Sequence, residues 1–263
     1  MIVNYIKKVL NNFYRYNSLL IQLVKRDLKV KYRRSILGIV WTVLSPLLMM
    51  CVMTVVFSTL FKASIENFPV YMLSANILFG FNSESTSQSL YSITGNAGLL
   101  SKVYIPKYLF PLSKVISGLV NFGFSFIALL VVIIITGAPL HISLFATFPL
   151  LVYMILFSLG ISLLLASLFV FFRDMSHLYS IIILVWTYLT PIFYPLEIIP
   201  ASYQKFINFN PILPYINYFR SITMQGVIPG IYENFICLLI GVISFILGMF
   251  VFYKSQDKFV LYM

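Results

Sequence analysis

Six stretches of this chain are apolar and long enough to be withdrawn from water as whole helices. A helix crossing a bilayer needs about 20 apolar residues. Candidate runs lie at about 37–61, 69–92, 113–136, 146–172, 177–195 and 232–253. The second is the weakest, because PVYMLSANILFGF gives way to the polar NSESTSQS. After the fifth run, TPIFYPLEIIPASYQKFINFNPILPYINYFRS (190–221) is broken by Pro191, Pro195, Pro200, Pro211 and Pro214. Each proline interrupts helix hydrogen bonding. The pattern predicts an all-α integral membrane protein with six transmembrane helices and short re-entrant helices between the fifth and sixth spans. Residues 1–36 are expected to form a cytoplasmic amphipathic interface segment. Residues 37–263 are expected to form the transmembrane domain, with an extracellular gate region at 191–231.

Composition agrees. The 263 residues are 60% hydrophobic and 10% charged, against about 25% charged in a soluble domain. Seven acids leave little for paired-carboxylate chemistry, and no Cys/His spacing suggests a metal site. Cys51 and Cys237 lie inside apolar runs, where thiols act as small hydrophobes. The opening MIVNYIKKVLNNFYRYN lacks the apolar stretch and cleavage site of a signal peptide.

Charge sets the expected orientation. With six spans the termini share a side, and that side holds all of the 18 Lys and Arg except Lys62, Lys205 and Arg220. Such bias places both termini in the cytoplasm, in a multi-pass plasma (inner) membrane protein. The net charge of +11 then records topology and does not argue for nucleic acid.

The densest basic cluster precedes the first span. In VKRDLKVKYRRS, Lys25, Arg26, Lys29, Lys31, Arg33 and Arg34 surround one acid, Asp27. The cluster suits a positive-inside anchor, and its density also suits docking of a cytoplasmic partner. Asp27 suggests specific pairing. Ile2, Ile6, Val9, Leu10 and Phe13 share a helical face, and Ser18 is placed to cap a second interfacial helix running to about Arg34.

Two further stretches fall on the same side. NAGLLSKVYIPKYLFP (96–111) mixes apolar Leu99, Leu100 and Tyr104 with Lys102 and Lys107. Exposed apolar residues mark contacts, so this is either a partner-docking loop or a loop folded on its own helix ends. In FFRDMSH, Arg173 and Asp174 suit snorkelling and capping; the alternative is a salt bridge to the N-terminal region.

Glu84 is the one acid expected at membrane depth, where ionisable groups are costly and by default functional. Its neighbours Asn82, Ser83, Ser85, Thr86, Ser87 and Gln88 must face other helices or a wet pathway. The aromatics of 190–221, Phe193, Tyr194 and Tyr215 among them, read either as an interfacial belt or as an extracellular gate suited to stacking on sugar rings.

KRDLKVKYRRSILGIVWTVLSPLL (25–48), NAGLLSKVYIPKYLFPLS (96–113), FFRDMSHLYSIIILVWTYLTPIFYPLEIIP (171–200) and INFNPILPYINYFRSI (207–222) together resemble the permease subunits of ABC exporters for O-antigen, capsular polysaccharide and teichoic acid. The resemblance implies a six-helix subunit that pairs with itself in a homodimer. It implies a separate cytoplasmic ABC ATPase that binds ATP and Mg, since no G-x-x-x-x-G-K-[ST] loop occurs here and no cofactor is expected in this chain. The implied substrate is a polyprenyl-diphosphate-linked polysaccharide, with membrane lipids as the other contacts. ATPase coupling would fall on Arg26, Asp27, Lys29, Arg33, Arg34, Leu99, Leu100, Lys102, Tyr104, Arg173 and Asp174. A substrate pathway or gate would fall on Phe79, Phe81, Asn82, Glu84, Gln88, Pro191, Phe193, Tyr194, Pro195, Asn210, Pro211 and Tyr215. Where such permeases often carry tryptophan early in the second span, this chain has Phe79 and Phe81. The rival expectations are an ABC exporter of drugs or small lipids, an ion-coupled transporter and a membrane enzyme.

Overall fold

The computed structural model describes residues 2–31, 35, 37–38, 40–60 and 65–262, with side chains from Tyr16 onward outside 58–60 and 260. Among these residues there is no strand. The helices are α1 (Ile2–Lys31), α2 (Val40–Leu60), α3 (Phe68–Leu90), the single turn α4 (Ala97–Leu100), α5 (Leu109–Ile135), α6 (Thr147–Phe171), α7 (Met175–Leu189), α8 (Ala201–Asn208), α9 (Leu213–Arg220), α10 (Ile231–Ser255) and α11 (Phe259–Tyr262).

Four of these helices are long and apolar enough to cross a membrane: α2, α5, α6 and α10. The two remaining predicted runs depart for identifiable reasons. Helix α3 has 23 residues, but its second half, NSESTSQSL, lowers its hydropathy. The run predicted to extend to residue 195 stops at Leu189, so α7 has only 15 residues. Thr190 and Pro195 adopt extended backbone at the break, where Pro191 has no amide hydrogen to continue the ladder. The expected boundary at Ser18 does not occur, because α1 runs unbroken through it.

Helices α6 and α10 form the most extensive helix pair. Close approach explains it. A Cβ on Gly248 would collide with the backbone of Gly160, and one on Gly160 with the backbone of Ser244 and Phe245. Ser244 Oγ adds a bond to the Phe157 carbonyl at 3.0 Å. Small residues that let backbones touch are a standard basis for helix association in lipid, where apolar burial alone gives no preference for a neighbour over an acyl chain.

Helix α3 sits at the centre against α5, α6 and α9. Its apolar residues Met72, Leu73, Leu78 and Phe81 are buried together with Phe122, Met154, Phe157, Tyr215 and Phe219. A second apolar cluster closes one end of the bundle. Leu23 of α1 packs there with Ile93, Ile105, Leu109, Phe110, Phe252 and Phe259. Removing one such leucine from water contributes about 1.5–3 kcal/mol, which fastens α1 across that end. The opposite end is built from the 65–67 and 136–146 segments and from 190–230, where α8 and α9 lie.

Candidate functional site

Two regions bring the predicted site residues together, one at each end of the bundle.

At the α1 end, Asp27 lies against Lys114 of α5 at 2.7 Å and Arg26 at 3.2 Å. Arg26 Nη1 also donates to Asn96 Oδ1 at 2.8 Å. Lys31 pairs with Glu84 of α3. The same carboxylate oxygen accepts from Gln88 Nε2 and from Asn121 Nδ2 of α5, each at 2.9 Å. Helix α1 is therefore tied by polar contacts to α3, to α5 and to the segment after α3. Asp27 is thus paired within the chain, and its closer partner is a lysine 87 positions away.

The segment after α3 turns through a 3₁₀ helix (Thr94–Asn96) and α4. Ile105 is buried beneath it, whereas Leu99, Lys102, Val103 and Tyr104 are exposed. Tyr104 is 90% exposed, an unusual state for a tyrosine in a folded turn. Leu100 is half-buried against the end cluster. Part of this loop folds onto the helix ends, and its tip projects Leu99, Val103 and Tyr104 outward. Lys29 is exposed on α1. Arg33 and Arg34 lie outside the described residues. Arg173 donates from Nη2 to the Tyr262 carbonyl at 3.3 Å and lies 5.6 Å from the Phe169 ring centroid. Asp174 occupies the position before α7 without a side-chain capping bond. Neither joins α1 in an ion pair among the described residues.

The polar half of α3 divides in two. Asn82, Ser85, Thr86 and Ser89 are wholly buried. Asn82 Oδ1 accepts from Ser158 of α6 at 2.9 Å, and Thr86 Oγ1 accepts from Tyr179 of α7 at 2.6 Å. Those residues bind helix to helix. Glu84, with Phe81, instead lines a cavity of about 360 Å³ between α2, α3 and α5, together with Lys31, Asn76 and Asn121. Phe79 is buried edge-on to Trp186 at 6.0 Å.

At the far end, Asn210 is a buried hub. Its Oδ1 accepts from Trp186 Nε1 at 2.7 Å and from the Ile212 amide at 3.2 Å, and its Nδ2 donates to Thr190 Oγ1 at 2.8 Å. It fixes the broken end of α7 to the start of α9. Tyr215 is fully buried and donates to the Cys237 carbonyl at 2.8 Å. Phe193 is buried and stacks on Phe57. Tyr194 donates to the Tyr188 carbonyl at 2.7 Å, and its own carbonyl accepts from Tyr71 at 3.0 Å. Pro191 and Pro195 line a second cavity, of about 1010 Å³. Pro211 is exposed.

Sequence reasoning missed Lys114, Asn121 and Arg220 as partners. A lone amide at Asn121 inside the apolar run 113–136 was the available signal for one of them.

The bundle, with four helices long and apolar enough to cross a membrane and α1 fastened across one end, is that of a multi-pass membrane protein, and residues 18–224 match the ABC-2 type transporter family. The chain belongs to that family. Among its relatives, the O-antigen export system permease protein RfbA of Klebsiella pneumoniae is 29% identical over 243 residues, covering 92% of this chain and 93% of the relative. RfbA of Myxococcus xanthus is 29% identical over 256 residues, covering 96% and 98%. The polysialic acid transport protein KpsM of Escherichia coli is 22% identical over 237 residues, covering 89% and 91%.

Proposed function

We propose that this chain is the membrane-spanning subunit of an ABC exporter that moves a polyprenyl-diphosphate-linked polysaccharide from the cytoplasm to the outer face of the plasma membrane. ATP hydrolysis takes place in a separate subunit. One observation carries the coupling half of the reading: an exposed tip (Leu99, Lys102, Val103, Tyr104) is joined to α1 through Arg26–Asn96, and α1 is joined to the core through Asp27–Lys114 and Lys31–Glu84. A push on the tip is delivered to α3 and α5 through that frame. The full-length similarity to proteins named for O-antigen export and polysialic acid transport supports the substrate half.

In this reading both termini are cytoplasmic, and α3 and α7 complete six spans. Helix α3 tolerates its polar half because Asn82 and Thr86 bond to α6 and α7. Helices α2 and α7 expose apolar side chains, among them Val52, Val55, Ile181 and Leu184, and a second copy of the chain and lipid cover these faces. Basic side chains at the α1 end attract the lipid diphosphate.

The test is loss of the protein in its native cell. Lipid-linked glycan is expected to accumulate inside, with surface polymer restored by re-expression. Unchanged surface polymer, or accumulation of some other lipid, would overturn the substrate assignment.

A further inference from the structure

Arg220 stands at the far-end cavity, and its environment is unusual for a cation. It is only 9% exposed. Its Nη2 donates to the Pro191 carbonyl at 2.8 Å, to Ile192 at 3.4 Å and to Tyr71 at 3.5 Å. Its Cζ lies 3.5 Å from the Tyr71 ring centroid. Among the described residues no carboxylate reaches it at ion-pair distance. Its Nε is buried without a partner. A guanidinium carries five donors in a fixed fork. Here backbone carbonyls engage one nitrogen of the fork, Tyr71 lies against the guanidinium, and Arg220 lines the cavity.

The rest of the lining narrows what Arg220 meets. Glu66, Glu197, Asn217 and Thr223 share the cavity with Tyr71. Two carboxylates against one guanidinium disfavour a polyanion. They suit a ligand that both donates and accepts at closely spaced positions, since carboxylates only accept, guanidinium only donates, and amide and hydroxyl do both. A polyhydroxylated ring has that character. The π-helical turn Ser221–Gln225 begins directly after Arg220 and contributes to the same wall, and such turns recur at functional sites.

We propose that this cavity is a sugar-binding subsite at the exit side of the protein, in which Arg220 donates to a hydroxyl or ring oxygen of a glycan residue and Glu197 takes a neighbouring hydroxyl, with Asn217 at the rim of the cavity. The proposal rests on the glycan-export reading and adds to it the residues that hold the polymer on the outer side. Arg220 also braces three carbonyls, so its removal is a poor single test. The primary probe is Asn217→Cys in a chain carrying Cys51→Ser and Cys237→Ala, labelled from outside with a membrane-impermeant maleimide. Asn217 is exposed and its side chain forms no hydrogen bond with the described residues. Tyr232→Cys, at an exposed position at the start of α10, is the control.

Labelling is compared in cells that make the glycan and in cells whose glycan synthesis is blocked, and export by the unlabelled chain is scored in parallel. The expected result is several-fold slower labelling at 217, but not at 232, when glycan is made. Glu197→Gln is expected to weaken glycan binding by about tenfold or more, the equivalent of one hydrogen bond to a charged group, and so to remove most of that protection. Equal labelling at 217 with export intact overturns the subsite and leaves the export reading standing. No export by the parent chain removes both. Stronger protection in Glu197→Gln assigns the cavity to an anionic group and overturns the sugar-hydroxyl assignment.

Discussion

Asp27 of α1 and Lys114 of α5 form an ion pair at 2.7 Å in which the two side chains are only 9% and 16% exposed. A pair this enclosed is far from the screened surface type. Removing one partner of a buried pair leaves an uncompensated charge and costs about 3–5 kcal/mol. Asp27→Ala is therefore expected to lower the thermal midpoint of the purified protein and to release α1 from the bundle end. Asp27→Lys with Lys114→Asp is expected to recover part of the loss. A double-mutant cycle by thermal unfolding checks this, and additive effects would show that the pair does not couple the two helices.

Glu84 gathers Lys31, Gln88 and Asn121 on one oxygen. Glu84→Gln retains an acceptor but removes the charge that holds Lys31. The variant is expected to fold and to keep its ATPase partner while export slows, because the lost contact joins α1 to α3. Comparing complex yield with export rate separates the two effects. Loss of the complex along with export would assign Glu84 to folding.

The apolar runs made α5, α6 and α10 legible to within a few residues, since 113–136, 146–172 and 232–253 correspond to Leu109–Ile135, Thr147–Phe171 and Ile231–Ser255. Local proline chemistry also showed that 190–221 is broken. Long-range geometry was not legible. Asp27 signalled a specific partner, yet any of several basic residues satisfied that signal. Asn210 looked like a gate residue because it sits in an aromatic, proline-rich stretch, and its place as a buried hub depends on Trp186 and Thr190 arriving from another helix. Ser18 looked like a cap because serine favours helix starts. Tyr16 before that point of α1 and Leu19 and Leu23 after it pack into one apolar cluster and carry one helix through it instead.

Gly248 has no room for a side chain, because a Cβ there meets the Gly160 carbonyl. Gly248→Leu is expected to push α10 from α6 and to abolish monodisperse protein in detergent, and even Gly248→Ala is expected to destabilise by about 1–3 kcal/mol through overpacking. Size-exclusion profiles and thermal midpoints check this. A normal midpoint for Gly248→Leu would contradict the close α6–α10 contact.

Asn210→Ala leaves Trp186 Nε1, the Ile212 amide and Thr190 Oγ1 without their shared partner. With about 1–3 kcal/mol for each buried group left unsatisfied, the segment from Thr190 to Leu213 is expected to open to limited proteolysis before the remainder unfolds. Asn210→Asp keeps the two accepting contacts but buries an unpaired charge, and is expected to be no milder. Equal protease resistance in all three proteins would remove Asn210 from its bracing position.

Tyr104 touches little of its own chain, so Tyr104→Ala is expected to leave the thermal midpoint unchanged while weakening ATPase association by about tenfold or more, as loss of an exposed aromatic anchor does at interfaces. Binding of the purified ATPase to the two proteins in nanodiscs checks it. Equal affinities would move the docking surface away from the 99–104 tip.

Export can be reconstituted by placing the chain in liposomes with its partner ATPase and lipid-linked glycan, and measuring glycan that becomes accessible on the far side. Transfer is expected to require both proteins and hydrolysable ATP, and to be slowed by Tyr104→Ala. Transfer by this chain alone, driven by an ion gradient and indifferent to ATP, would contradict ATP-driven export.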